Sequence, residues 1–141
     1  MRFLTLSASC ACIATVAAQV YQGFNYGSTY SDGSPITEPG YEALFNAAKN
    51  LAGTGNKFTS ARLFTSIQGP GNAYSSAFEA AIKTNTPLLL GLWASAGQTN
   101  IDNELAAIRS AITALGSKFG NQVISWVSCL LGSSLSHLFN R

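Results

Sequence analysis

The chain has 141 residues, enough for one ordinary domain, and only 10% of them are charged, for a net charge of +2. No basic patch or stripe runs along it, which argues against nucleic acid as a partner. Low charge combined with many Gly, Ser, Thr, Asn and aromatic residues suits a neutral partner, and a carbohydrate meets that description.

In chain order, residues 1–18 carry a basic Arg2 and then an uncharged run from Phe3 to the small residues Ala17 and Ala18. This predicts a secretory signal peptide cut after Ala18 and a secreted, extracellular destination. The run is too short and too rich in Ser, Ala and Thr for a membrane span, so no transmembrane segment is expected in the mature chain. Cys10 and Cys12 would leave with the signal, so Cys129 would remain without an internal partner.

Val20 to Tyr26 mixes β-branched and aromatic residues and predicts a strand that stops at Gly27. A helix bracketed by Pro39 and Gly53 follows, with Tyr41, Leu44, Phe45, Ala48 and Leu51 on one stripe. Phe58 to Thr65 predicts a second strand, QGPGN a turn, and Ala73 to Thr84 a second helix that buries Tyr74, Phe78, Ala81 and Ile82. Leu88 to Trp93 is a continuous apolar run, as in a strand covered on both faces. The third helix carries Ile101, Leu105, Ile108, Ile112 and Leu115. Thr99 and Asp102 resemble a capping box at its start, and Gly116 a terminal glycine at its end. Gln122 to Ser128 predicts a fourth strand. The order β-α-β-α-β-α-β specifies an α/β fold with a parallel sheet, closed either as a small doubly wound sheet or as the first half of an eight-stranded barrel.

In both closures ligands sit at the carboxyl ends of the strands. Asn25 and Tyr26 end the first strand and are polar, which favours a site. Arg62 lies within the second strand; it either points into a site to hold a carboxylate or a sugar hydroxyl, or snorkels to water from an edge. Trp93 ends the third strand as either a flat platform for a sugar ring or a core residue, and strand position alone favours the core. The six acidic residues, Asp32, Glu38, Glu42, Glu79, Asp102 and Glu104, fall in predicted loops or helices. None forms the pair of carboxylates that glycoside hydrolysis needs. The single histidine, His137, lies in the tail, so neither a catalytic triad nor a metal cluster is expected, and no cofactor.

GFNYGSTYSDG, FTSARLFT and NTPLLLGLWASAGQ, in this order and spacing, resemble fungal endo-β-1,3-glucanases of glycoside hydrolase family 17, from about Gln22 to Ser128. The resemblance implies the N-terminal half of a (β/α)8 TIM barrel, about four parallel strands and three helices. It also implies β-1,3-glucan of the fungal cell wall as the partner, and Asn25, Tyr26, Arg62 and Trp93 as substrate contacts. Family members carry their acid/base Glu just after the fourth strand, near position 132, where this chain has Gly132. The nucleophile Glu, later in the family, has no counterpart. The expected division is therefore a signal peptide at 1–18, a partial glycosidase domain at 19–128 and a divergent tail at 129–141. With no catalytic residue carried over, the chain is expected to be a truncated product, inactive as written. The alternative is a non-catalytic carbohydrate-binding or wall-associated protein. The uncharged strands at the two ends of the sheet predict self-association through their edges.

Overall fold

The computed structural model describes residues 20–69 and 72–128, with the side chains of 126–128 left aside; the expected signal peptide at 1–18 and tail at 129–141 lie outside these residues. Four parallel strands form the sheet: β1 (Gln22–Tyr26), β2 (Phe58–Leu63), β5 (Leu88–Leu92) and β6 (Val123–Ser128), hydrogen-bonded in the order β1-β2-β5-β6. Between β2 and β5 a small antiparallel hairpin joins β3 (Ile67–Gln68) to β4 (Ala73–Tyr74). The helices are α1 (Glu38–Lys49), α2 (Ala77–Thr84), α3 (Gln98–Leu115) and the single turn α4 (Ser117–Gly120).

Neighbouring strands of the sheet follow one another in the chain without the reversal that marks a doubly wound sheet. The helices share one core with one face of the sheet. Tyr41 and Phe45 of α1, Phe78 of α2, Ile108 and Ala111 of α3 and Phe119 of α4 cluster with Ala61, Leu63, Leu88 and Leu90 of the strands. An α/β sheet wound in chain order and covered on one face is compatible with part of a barrel.

Local chemistry explains where the elements begin and end. The Thr37 hydroxyl accepts from the Gly40 N–H at 3.4 Å, and Pro39 sits in the first turn of α1, where its missing N–H has no intrahelical role. The helix stops at Lys49, short of the expected Gly53 bracket, so Leu51 lies beyond it and is 45% exposed. The Lys49 ammonium reaches the carbonyls of Thr84 and Asn85 and so satisfies the carboxyl end of α2. Burial lowers the Lys49 pKa.

Several further expectations are corrected. Ala73 and Tyr74 do not begin α2. They pair with Gln68 and Ile67, because the Gln68 amide oxygen accepts from the Ser76 N–H at 2.9 Å and from the Ser76 hydroxyl at 2.8 Å, which folds this segment back. The capping box at Thr99 is absent: α3 starts at Gln98 behind Gly97, whose φ of 97° suits glycine, and Asp102 instead accepts from the Gln98 side chain at 2.9 Å. Among the described residues, helices cover strand β5 on one face only. Leu88 and Leu90 are fully buried on that face, whereas Leu89 on the opposite face is partly exposed.

The expected terminal glycine does hold: Gly116 has φ 59° and its N–H bonds the Ile112 carbonyl. The buried face of α3 is rotated from the expected stripe. Glu104, Ala107, Ile108 and Ala111 are buried, and Ile112 is 51% exposed.

Candidate functional site

In a parallel sheet, paired residues point to the same face and successive residues to opposite faces. The register pairs Asn25 with Arg62, Arg62 with Leu89, and Leu89 with Ser125, giving one row across all four strands. The next row, Tyr26, Leu63 and Leu90, faces the helices, and Leu63 and Leu90 are at most 1% exposed. The first row lies on the face that none of the described helices covers, where Asn25 and Ser125 are exposed and Arg62 and Leu89 half-buried.

The tip of β1 is therefore divided. Asn25 stands on the open face. Tyr26 turns its ring edge-on to Phe45, with centroids 5.2 Å apart, and burial raises its phenol pKa. At the next residue, the Gly27 carbonyl accepts from the Tyr41 hydroxyl at 2.7 Å, which ties the end of β1 to α1.

Arg62 sits on β2, flanked by β1 and β5, so an edge position is ruled out. Its guanidinium lies over the Phe64 ring, 5.7 Å from the centroid. Its Nε is buried and has no hydrogen-bond partner among the described residues. A buried donor without an acceptor costs about 1–3 kcal/mol, so this atom calls for an acceptor that the described residues do not supply.

Trp93 is 56% exposed, which corrects the core role that strand position alone favours. Its indole N–H donates to the Ser95 hydroxyl at 2.9 Å, and its carbonyl accepts from the Asn100 side chain at 2.7 Å. The 3-10 turn at Ala94–Ala96 carries the chain away just after it. Phe64, also beyond the end of its strand, is 52% exposed. Both aromatics stand at the carboxyl end of the sheet. Gly91 lets the two strand ends approach closely, since a Cβ there would overlap the carbonyl oxygens of Leu63 and Phe64. The open face thus combines an amide, a guanidinium and two exposed rings.

Five of the six carboxylates are occupied away from this face. Asp32 accepts from the Ser34 hydroxyl and N–H, and these bonds lower its pKa. Glu38 and Glu42 pair with Lys83 at 2.6 and 3.2 Å, and their hydrogen bonds raise the lysine pKa. Glu79 accepts from the Tyr74 hydroxyl at 3.0 Å, and Asp102 is bonded as described above. Glu38, Glu79 and Lys83, with Lys118 of α4, line an open cleft of about 510 Å³ within the helix layer.

Glu104 is the functional candidate that sequence reasoning missed. It is fully buried, and its carboxylate accepts from the Thr65 hydroxyl and, at 2.6 Å, from the Ser66 N–H, just past the end of β2. In the sequence it was only one of six acids, placed in a predicted helix away from the strand tips. The signal lay in the apolar stripe of Ala107, Ile108 and Ala111, which one turn toward the N-terminus lands on Glu104. Among the described residues no group of three or more His, Cys, Asp or Glu side chains is arranged to hold a metal, and no helix is long and apolar enough to cross a membrane.

No family model matches the chain. Among curated proteins it is similar to the probable glucan endo-1,3-beta-glucosidase eglC of Aspergillus oryzae, with 55% identity over 105 residues, 74% of this chain and 22% of the relative. The Aspergillus fumigatus protein of the same name is 49% identical over 125 residues, 88% of this chain and 27% of the relative. That of Emericella nidulans is 49% identical over 108 residues, 77% and 23% of the two chains. The chain spans about a quarter of the length of the curated relatives it matches.

Proposed function

We propose, from the premise that this chain is homologous over most of its length to these Aspergillus glucan endo-1,3-beta-glucosidases, that it carries a β-1,3-glucan-binding part of a secreted glycoside hydrolase family 17 barrel and lacks the two carboxylates of hydrolysis. The observation that carries the reading is the open face itself. Exposed Phe64 and Trp93 offer flat apolar surfaces to the faces of glucose rings, and Asn25 and Arg62 offer hydrogen bonds to hydroxyls between them. Tyr26 packs its ring edge-on against Phe45 on the helix side of the sheet. A neutral polysaccharide needs no strong field, in keeping with the net charge of +2.

Retaining glycosidases hold their two carboxyl groups about 5–5.5 Å apart across the scissile bond. Glu38 and Glu42 are both taken up by Lys83 in the helix layer and Glu104 by Thr65 and Ser66, so the acids described above place no such pair on the open face. The cell wall or the extracellular space is the corresponding destination. The test is to incubate the purified chain with laminarin and measure both retention on insoluble β-1,3-glucan and release of reducing sugar. Retention without release supports the reading; release above a blank refutes the missing-carboxylate part, and no retention refutes the binding part.

Self-association is part of the proposal. β1 and β6 are the outer strands of the described sheet, and Val20, Tyr21 and Phe24 at the β1 side are 79%, 41% and 40% exposed. Sedimentation should find dimers or larger species, and a purely monomeric chain would contradict this.

A further inference from the structure

Asn100 and Glu104 are four residues apart in α3, so they lie one above the other on a single helix face. Each reaches the carboxyl end of a different strand. Asn100, in the first turn, donates to the Trp93 carbonyl at 2.7 Å, just past β5. Glu104, one turn later, accepts from the Thr65 hydroxyl with one oxygen and from the Ser66 N–H with the other, just past β2. The Thr65 oxygen in turn accepts from the Ile67 N–H at 3.2 Å, which extends the hold to the start of β3. The residues so gripped are Trp93 itself and the neighbours of Phe64, the two exposed rings of the open face.

The burial of Glu104 makes this arrangement notable. A fully buried carboxylate is costly unless hydrogen bonds satisfy it, and both oxygens of Glu104, which makes no ion pair among the described residues, are spent on this one loop. A glutamine of the same shape could accept with only one oxygen. We propose that Asn100 and Glu104 form a two-point clamp by which α3 positions Trp93 and Phe64 for a glucan chain. Neither touches the sugar; both are positioning residues, and the assignment rests on the glucan-binding reading of the open face. Preorganised platforms bind more tightly because less ordering cost falls on the complex.

The test uses the full chain, laminarihexaose as the probe, and the variants Asn100→Asp and Glu104→Gln. Asn100→Asp keeps the side-chain shape but removes the donor to the Trp93 carbonyl, and its half-exposed position leaves folding unaffected. Affinity is measured by calorimetric titration, alongside hydrogen exchange of the segments 64–68 and 93–97. The expected result is a three- to tenfold loss of affinity for each variant, the range of one or two net hydrogen bonds. Exchange should speed up in 93–97 for Asn100→Asp and in 64–68 for Glu104→Gln, with the strand 88–92 unchanged. If Glu104→Gln fails to fold, Asn100→Asp alone decides. Wild-type affinity in Asn100→Asp, or unchanged exchange in 93–97, overturns the clamp while leaving the glucan reading intact. A wild-type chain that gives no binding heat overturns the glucan reading, and the clamp's purpose with it.

Discussion

The two faces of the four-stranded sheet are built from the same strands and behave in opposite ways. Toward the helices, Leu63, Leu88 and Leu90 meet Phe45, Phe78 and Phe119 with essentially no exposure. On the other face, the row through Asn25, Arg62, Leu89 and Ser125 is covered by no helix among the described residues, and beyond it Phe64 and Trp93 stand more than half exposed. Since side chains alternate, each strand divides its residues between a face that holds the fold together and a face free to bind. Substitutions one position apart should therefore separate stability from recognition.

The largest expected effect is on the sealed face. Phe78 is fully buried, stacked parallel to Tyr74 with centroids 6.0 Å apart and packed 4.5 Å from Phe119. Phe78→Ala should cost about 3–5 kcal/mol, a large share of a typical domain's stability, and thermal denaturation should show most of the cooperative transition lost. Next comes the contact between the strand ends. Gly91→Ala should destabilise by about 1–3 kcal/mol, because its methyl collides with backbone carbonyls that cannot move aside. An unchanged melting temperature would show that the two tips are looser than the geometry implies.

The open face should respond in the reverse sense. Trp93→Ala and Phe64→Ala should change stability by less than about 1 kcal/mol, because each side chain is more than half in water. Each should nonetheless weaken laminarihexaose binding by about tenfold, which calorimetric titration reads directly. A variant that lost stability but kept affinity would invert the assignment of the two faces.

The smallest expected effect concerns pH. Burial raises the phenol of Tyr41 above its ordinary value of 10.0, and that of Tyr26 likewise. A raised pKa in the folded state contributes stability that is fully present below the unfolded value and is lost as pH rises through the folded one. Stability should therefore be flat up to about pH 10 and fall above it. Tyr41→Phe should reduce that alkaline loss, at the cost of the hydrogen bond to the Gly27 carbonyl.

Much of the sealed face was legible in the sequence, because it obeys period and composition. Tyr41, Phe45 and Ala48 on α1 and Phe78 and Ala81 on α2 are buried as their spacing predicts. Two of the failures share a cause: a side chain that bonds outside its own element. Gln68 reaches Ser76 and draws Ala73 and Tyr74 out of the expected helix, and also donates to the carbonyls of Ser28 and Ile36. Glu104 reaches Thr65 and Ser66 across 39 and 38 residues of sequence. No local pattern announces such a partner.

On the open face, Arg62 was legible as a charge inside a strand, and Asn25 as a polar residue at a tip. The exposure of Trp93 was not, because it depends on the 3-10 turn that follows β5 and on the absence of a helix layer on that side.

The most direct test of the account is an amide chemical-shift titration of the labelled chain with laminarihexaose. The account predicts shifts concentrated at Asn25, Arg62, Phe64 and Trp93 and the backbone beside them, with Phe45, Phe78 and Phe119 unmoved. Shifts centred on the helix layer, or none at saturating sugar, would contradict it.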